Sequence, residues 1–109
     1  MKKSLILGSS KGIGKAIKDE MTKMGVKIYS PSSKTLDTSK IQLVENYINK
    51  LENIDYLILN TGGPPAKNFF DITFLEWNKY FNQLFLGMVT ILQKIKINKN
   101  GYVFLISSH

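Results

Sequence analysis

The sequence contains no cysteine and no arginine, and its single histidine is the last residue, His109. Without cysteine there are no disulfides and no thiol chemistry, and one histidine leaves no His/Cys set at metal-ligand spacing. No metal site is expected. Without arginine the chain lacks the side chain that reads base edges bidentately. Its net charge of +7 comes from lysines scattered from Lys2 to Lys99, not gathered in one block. That scatter reads as a solvated surface or an attraction for a phosphorylated small molecule, so nucleic acid is not expected as a partner. No apolar run approaches the ~20 residues needed to span a bilayer. The start, Met1-Lys2-Lys3 and a few apolar residues, is too short for a secretory signal and lacks a small-residue cleavage site. A cytoplasmic protein without membrane association is expected. The hydrophobic content of 43% and aromatic content of 11% describe one folded globular domain over residues 1–109, without repeats or low-complexity tracts.

What is present is concentrated in residues 4–14, Ser-Leu-Ile-Leu-Gly-Ser-Ser-Lys-Gly-Ile-Gly. A short apolar run (Leu5, Ile6, Leu7) meets a turn with glycines at 8, 12 and 14, and a helical pattern follows. Strand, glycine turn and helix in that order form a site for a phosphate-bearing ligand, because free N–H groups at a helix start favour negative charge. Spacing narrows the type. A P-loop would put a glycine where Ser9 stands and a hydroxyl where Ala16 stands, so that reading fails. The G-x-G-x-x-G fingerprint fails as well, since the order here is Gly8-x-x-x-Gly12-x-Gly14.

Further along, Ile13, Ala16, Ile17, Met21 and Met24 recur at helical spacing, and Gly25 offers a stop. A second strand is expected from Val26 to Ser30, broken by Pro31, and a short third strand from Lys34 to Asp37. Ser39 and Gln42 read as a capping box for a helix with Ile41, Val44, Ile48 and Leu51 on one face. A buried fourth strand runs from Tyr56 to Asn60 and ends in Thr61-Gly62-Gly63-Pro64-Pro65. Thr73 and Glu76 form another capping box for a long helix from Phe74 to about Ile97. A turn at residues 98–101 leads to a fifth strand from Tyr102 to Ile106. Alternating strands and helices imply a parallel sheet with right-handed crossovers. The long helix is apolar on most sides, through Trp77, Tyr80, Phe81, Leu84, Phe85, Met88, Val89, Ile91, Leu92 and Ile95. That exceeds the stripe needed to cover a sheet, so either a missing part of the chain or another subunit is expected on its second face, and the subunit, giving a homo-oligomer, is favoured.

The order Gly8-x-x-x-Gly12-x-Gly14 resembles the first turn of the short-chain dehydrogenase/reductase family, and the resemblance extends along the chain. Asp37, in Leu36-Asp37-Thr38, stands where that family has an aspartate beside adenine. Asn60-Thr61-Gly62-Gly63 is similar to its Asn-Asn-Ala-Gly motif. Ile72-Thr73, Trp77 and Gly87 match its pattern through the long helix, and Ile106-Ser107-Ser108 is similar to the strand end whose second serine is catalytic. On the residues alone, Asp37 is equally a helix-start acid favoured by the helix dipole, Asn60 and its glycines are turn chemistry, and Ser108 is a strand-end hydroxyl.

The resemblance implies a three-layer, doubly wound α/β sheet of Rossmann type in the order 3-2-1-4-5, truncated after the fifth strand. It implies NADP or NAD lying across Gly8, Ser10, Lys11, Gly12, Ile13 and Gly14, with Asp37 near adenine and Asn60, Thr61 and Gly62 along the ribose. The complete family reaction is hydride transfer between NAD(P)H and a carbonyl or alcohol, with Ser108 as the catalytic residue present. Four departures qualify this. The connection from the second strand to Asp37 has no room for the usual intervening helix. No carboxylate ends the second strand to take ribose hydroxyls; Ser30, Ser32, Ser33 and Lys34 stand there and suit a 2′-phosphate, so NADP is expected over NAD. Pro31 stands about where an arginine often would. Leu84 occupies the place of a catalytic asparagine. The Tyr-x-x-x-Lys pair is absent, so cofactor binding without turnover is expected of these residues alone. A non-enzymatic nucleotide-binding or oligomerising module is the alternative.

Overall fold

The computed structural model describes residues 1–10, 12–60 and 69–106. Four parallel strands form one sheet: β1 (Lys3–Leu7), β2 (Lys27–Tyr29), β3 (Ile54–Leu59) and β4 (Ile97–Leu105), in the order β2-β1-β3-β4. The helices are α1 (Gly12–Lys23), α2 (Ile41–Asn49), α3 (Phe74–Phe81) and α4 (Gly87–Lys94). A π-helical segment, Asn82–Leu86, joins α3 to α4 without a break. No helix among the described residues is long and apolar enough to cross a membrane.

The layers follow from chain direction. The step from β1 to β2 runs one way across the sheet, and the steps to β3 and β4 run the other way. Right-handed crossovers therefore put α1 on one face and α2, α3 and α4 on the opposite face. Side-chain alternation agrees. Leu5, Leu7, Leu57 and Leu59 form the core with Val44 and Ile48 of α2 and Ile91 of α4. Ile6 and Ile58 are buried on the α1 side. β1 and β3 are apolar on both faces because both are covered, as central parallel strands require. The expected three-layer, doubly wound arrangement is present.

Several expectations need correction. The strand expected from Lys34 to Asp37 is absent among the described residues. There the backbone turns back, with the N–H groups of Thr35 and Leu36 both donating to the Ser32 carbonyl at 3.0 and 2.8 Å. Leu36 is buried in the core, and burying that one side chain outweighs extending the segment along β2. The sheet thus has the expected order without its outermost member. The Ser39/Gln42 box does not form either. The Ser39 hydroxyl donates to Asp37 Oδ1 at 2.6 Å and the Gln42 amide reaches Asn46, so α2 begins after Lys40 with no side-chain cap. The second strand is shorter than expected, and the fourth starts earlier, at Ile54.

The Thr73/Glu76 capping box forms as expected, its two hydrogen bonds each 3.2 Å. The helix it opens ends at Lys94 rather than Ile97. β4 begins at Ile97 because the Ile54 N–H takes the Lys96 carbonyl, and the expected turn at residues 98–101 becomes a bulge inside that strand. Ile97 pairs with Ile54 and Tyr102 with Tyr56, so β4 spends three more residues than β3 there. α1 also covers less than its pattern suggested: Ile17 and Met21 are half-buried, while Ile13, Ala16 and Met24 face solvent.

Two apolar surfaces are open. Trp77, Phe81, Leu84, Phe85 and Leu92 are exposed on α3, the π segment and α4, and the Phe81 and Phe85 rings stack 5.3 Å apart. The sheet's β4 edge exposes Tyr102, Val103, Phe104 and Leu105. This matches the expectation that the long helix has an uncovered face.

Candidate cofactor site

The turn after β1 is held by close backbone packing. Gly8 has φ +77°, and a Cβ there would lie 1.4 Å from the Asn60 carbonyl oxygen. A Cβ on Gly14 would lie 1.9 Å from the Gly8 carbonyl oxygen. Only hydrogen fits at either position, so α1 starts directly against the end of β1 and β3. Asn60 fastens the arrangement: its N–H donates to the Leu7 carbonyl at 3.2 Å, and its side-chain amide donates to the Gly8 carbonyl at 3.1 Å. Gly12 is different. It has φ +65°, yet among the described residues a Cβ there would meet nothing within 4 Å. The helix start is thus left open at that glycine, which suits a ligand approaching the backbone and the N–H groups of the first turn.

A groove of about 850 Å³ opens beside this turn at the carboxyl ends of β1 and β2, a size typical of pockets that enclose a small ligand. Leu7, Gly8, Ser9 and Ser10 form its wall at the turn, and residues 30–34 with Leu36, Asp37 and Thr38 form the opposite wall. Crevices at this end of a doubly wound sheet, where the chain departs to either side of β1, are where such folds take ligands.

The groove brings together most of the residues singled out from the sequence: Gly8, Ser10, Ser30, Ser32, Ser33, Lys34 and Asp37. Gly12, Ile13 and Gly14 lie at the start of α1 and do not line it; Ile13 faces solvent and Gly14 is buried. Asn60 is also outside the lining and acts on the turn through its side chain. Lys11, Thr61, Gly62 and Ser108 lie outside the described residues. Leu84 sits in the π segment, exposed, where it offers neither donor nor acceptor.

Asp37 is partly committed. Its Oδ1 accepts from the Ser39 N–H at 3.0 Å as well as from the Ser39 hydroxyl. The hydroxyl bond holds the Asp37 carboxyl below its usual range against the opposing effect of partial burial, aided by the Ser39 N–H and by Lys40 and Lys79. The following residue is gripped from the other side. A Cβ on Gly87 would lie 2.2 Å from the Thr38 carbonyl oxygen, so α4 starts in direct contact with the backbone beside Asp37.

Sequence reasoning missed Lys18, Lys79 and Gln83, which also line the groove. Lys79 and Gln83 are four apart and share a helix face, but Glu76, Asn78 and Asn82 beside them are polar too, so nothing in the sequence marks the pair. Nothing local distinguishes Lys18 from its neighbours.

The site combines a glycine with left-handed backbone at a helix start with a groove whose walls carry serines and lysines. No protein-family model matches the sequence, and no curated protein matches it. Solved structures do. A crystal structure of a small-chain dehydrogenase matches with a TM-score of 0.81 at 23% identity, over 95% of this chain and 58% of that one. A doubly substituted Serratia marcescens short-chain dehydrogenase/reductase matches with a TM-score of 0.84 at 16% identity, over 98% and 57%. BdcA, solved in complex with NADPH, matches with a TM-score of 0.84 at 19% identity, over 98% and 52%. The chain spans little more than half the length of these three structures. Over that length, this chain has the fold of the short-chain dehydrogenases/reductases.

Proposed function

We propose that the chain binds a pyridine dinucleotide, NADP(H) in preference to NAD(H). We also propose that it is the cofactor-binding part of an oxidoreductase of the short-chain dehydrogenase/reductase type, located in the cytoplasm. One observation carries the reading: Gly12, with its left-handed backbone and, among the described residues, open surroundings, stands beside a glycine-packed turn and a groove lined by serines and lysines. BdcA, of the same fold, was solved with NADPH, which supports the choice of cofactor.

In this reading the diphosphate meets the backbone at Ser10, Lys11, Gly12, Ile13 and Gly14, where free N–H groups and the helix dipole favour its charge. Ser30, Ser32, Ser33 and Lys34 face the adenosine phosphate. Asp37 borders the adenine, held in place by Ser39. Asn60, Thr61 and Gly62 follow the ribose, and Ser108 polarises a substrate carbonyl. The bound cofactor supplies a hydride donor or acceptor at its nicotinamide ring. No tyrosine in this sequence is followed four residues later by lysine, so the isolated 109 residues bind the cofactor without turning a substrate over. The exposed face of α3 and α4 meets a second copy of the chain.

Titration calorimetry with NADPH and NADH tests the reading. Wild type binds, and Gly12→Val, which fills the open approach, loses binding while keeping its circular dichroism. Absence of heat with both dinucleotides from a folded protein would sink it. A non-enzymatic module is the second reading, favoured by Leu84 at the position of the family's polar residue; reductase activity in the pure chain would exclude that module.

A further inference from the structure

Three lysines line the groove from three separate elements: Lys18 from α1, Lys34 from the loop after β2, and Lys79 from α3. Because α1 and α3 lie on opposite faces of the sheet, positive charge brackets the groove from both sides. Among the described residues, none of the three ammonium groups has an ion pair or hydrogen bond. Lys2, Lys3, Lys15, Lys23 and Lys94 each face a carboxylate. Among the described residues Asp37 is the one carboxylate lining the groove; it lies in the field of Lys79, so one negative charge stands against three positive ones. Unpaired like charges gathered at one site repel each other, and a ligand carrying two negative charges on several oxygens relieves that repulsion best. A ribose diol gains nothing comparable from ammonium groups.

We infer that Lys18 and Lys79, together with Lys34, form a phosphomonoester clamp, and that these two helix lysines set the preference for NADP(H) over NAD(H). The inference rests on the dinucleotide reading and assigns the discrimination to two helices, beyond the loop hydroxyls of residues 30–33.

Titration calorimetry of the wild type, Lys79→Gln, Lys18→Gln and Lys79→Arg with NADPH, NADH and adenosine 2′,5′-bisphosphate tests it. Each Gln variant weakens NADPH and the bisphosphate by about tenfold, the loss of a charge-assisted contact, and changes NADH by less than about twofold. Lys79→Arg retains most of the affinity, and thermal melts confirm that all variants fold. Equal weakening of NADPH and NADH would place the lysines on adenine or diphosphate and overturn the inference while leaving the dinucleotide reading standing. Wild type that does not discriminate the two dinucleotides would do the same. Binding of the bisphosphate alone would keep the clamp and remove the dinucleotide reading; binding of none of the three would remove both.

Discussion

The side-chain amide of Asn60 donates to the carbonyl of Gly8 at 3.1 Å, and the Asn60 carbonyl oxygen lies where a Cβ on Gly8 would be. The end of β3 is thereby locked to the turn after β1, and that turn aims α1 at the groove. The glycines at the two ends of the turn, Gly8 and Gly12, differ in sensitivity. Gly8→Ala combines backbone strain with overlap against main-chain atoms and destabilises by about 3 kcal/mol or more. Gly12→Ala meets only strain, about 1–2 kcal/mol, and leaves a folded protein. Urea denaturation of the two variants shows the larger loss for Gly8→Ala; equal losses would contradict the packing described.

Ser4 is fully buried in β1, and among the described residues its hydroxyl has no hydrogen-bond partner. Removing an unsatisfied buried hydroxyl releases its desolvation penalty with little loss of volume. Ser4→Ala is expected to be neutral or up to about 1 kcal/mol more stable, read from the same urea midpoints. A clear loss of stability would mean that the hydroxyl is satisfied in solution.

Asp55 ties the base of the sheet. Its carboxylate accepts the Lys3 N–H at 2.8 Å and the Asn98 amide at 3.1 Å, with Lys2 at 3.9 Å. The Lys3 N–H, then Asn98 and Lys2, hold its carboxyl below the usual aspartate range, and Ser39 does the same for Asp37. A carboxyl whose folded-state pKa is depressed contributes stability above its unfolded pKa, near 4, and that stability is lost as pH falls through the folded value. The urea midpoint therefore drops from pH 5 to pH 2, and Asp55→Asn flattens part of that drop. An Asp55→Asn profile parallel to wild type would remove Asp55 as a cause.

Phe81 and Phe85 stack on an exposed helix face, 52% and 54% accessible. Sedimentation should show self-association of the wild type, weakened by Phe81→Glu together with Phe85→Glu. Each ring buried at an interface contributes about 1–3 kcal/mol, so the double variant shifts the dissociation constant by about thirtyfold or more. Stability of the monomer changes little, because these rings are outside the core. A wild type that stays monomeric at high concentration would contradict the expected homo-oligomer.

Local chemistry was readable in advance. Leu5, Ile6 and Leu7 followed by Gly8, Gly12 and Gly14 announced strand, turn and helix because those preferences act over a few neighbouring residues. The Thr73/Glu76 box was equally legible, since its partners are three residues apart and need nothing else. Gly25 ended α1 as expected, with the Val26 N–H donating back to the Met21 carbonyl at 3.1 Å. These features are set by the chain's own immediate sequence.

Folding in three dimensions settled the remainder, because it weighs partners that are distant along the chain. The segment from Lys34 to Asp37 had the makings of a strand until Leu36 was drawn into the core beside Val44 and Ile48. Residues 98–101 looked like a plain turn, yet Asp55 holds Asn98 and β3 pairs with Ile97, so the strand begins before them. The lysines of the groove come from positions 18, 34 and 79, a juxtaposition that exists only once both faces of the sheet are covered. A residue's propensity is local, whereas its burial and its charged neighbours belong to the whole fold.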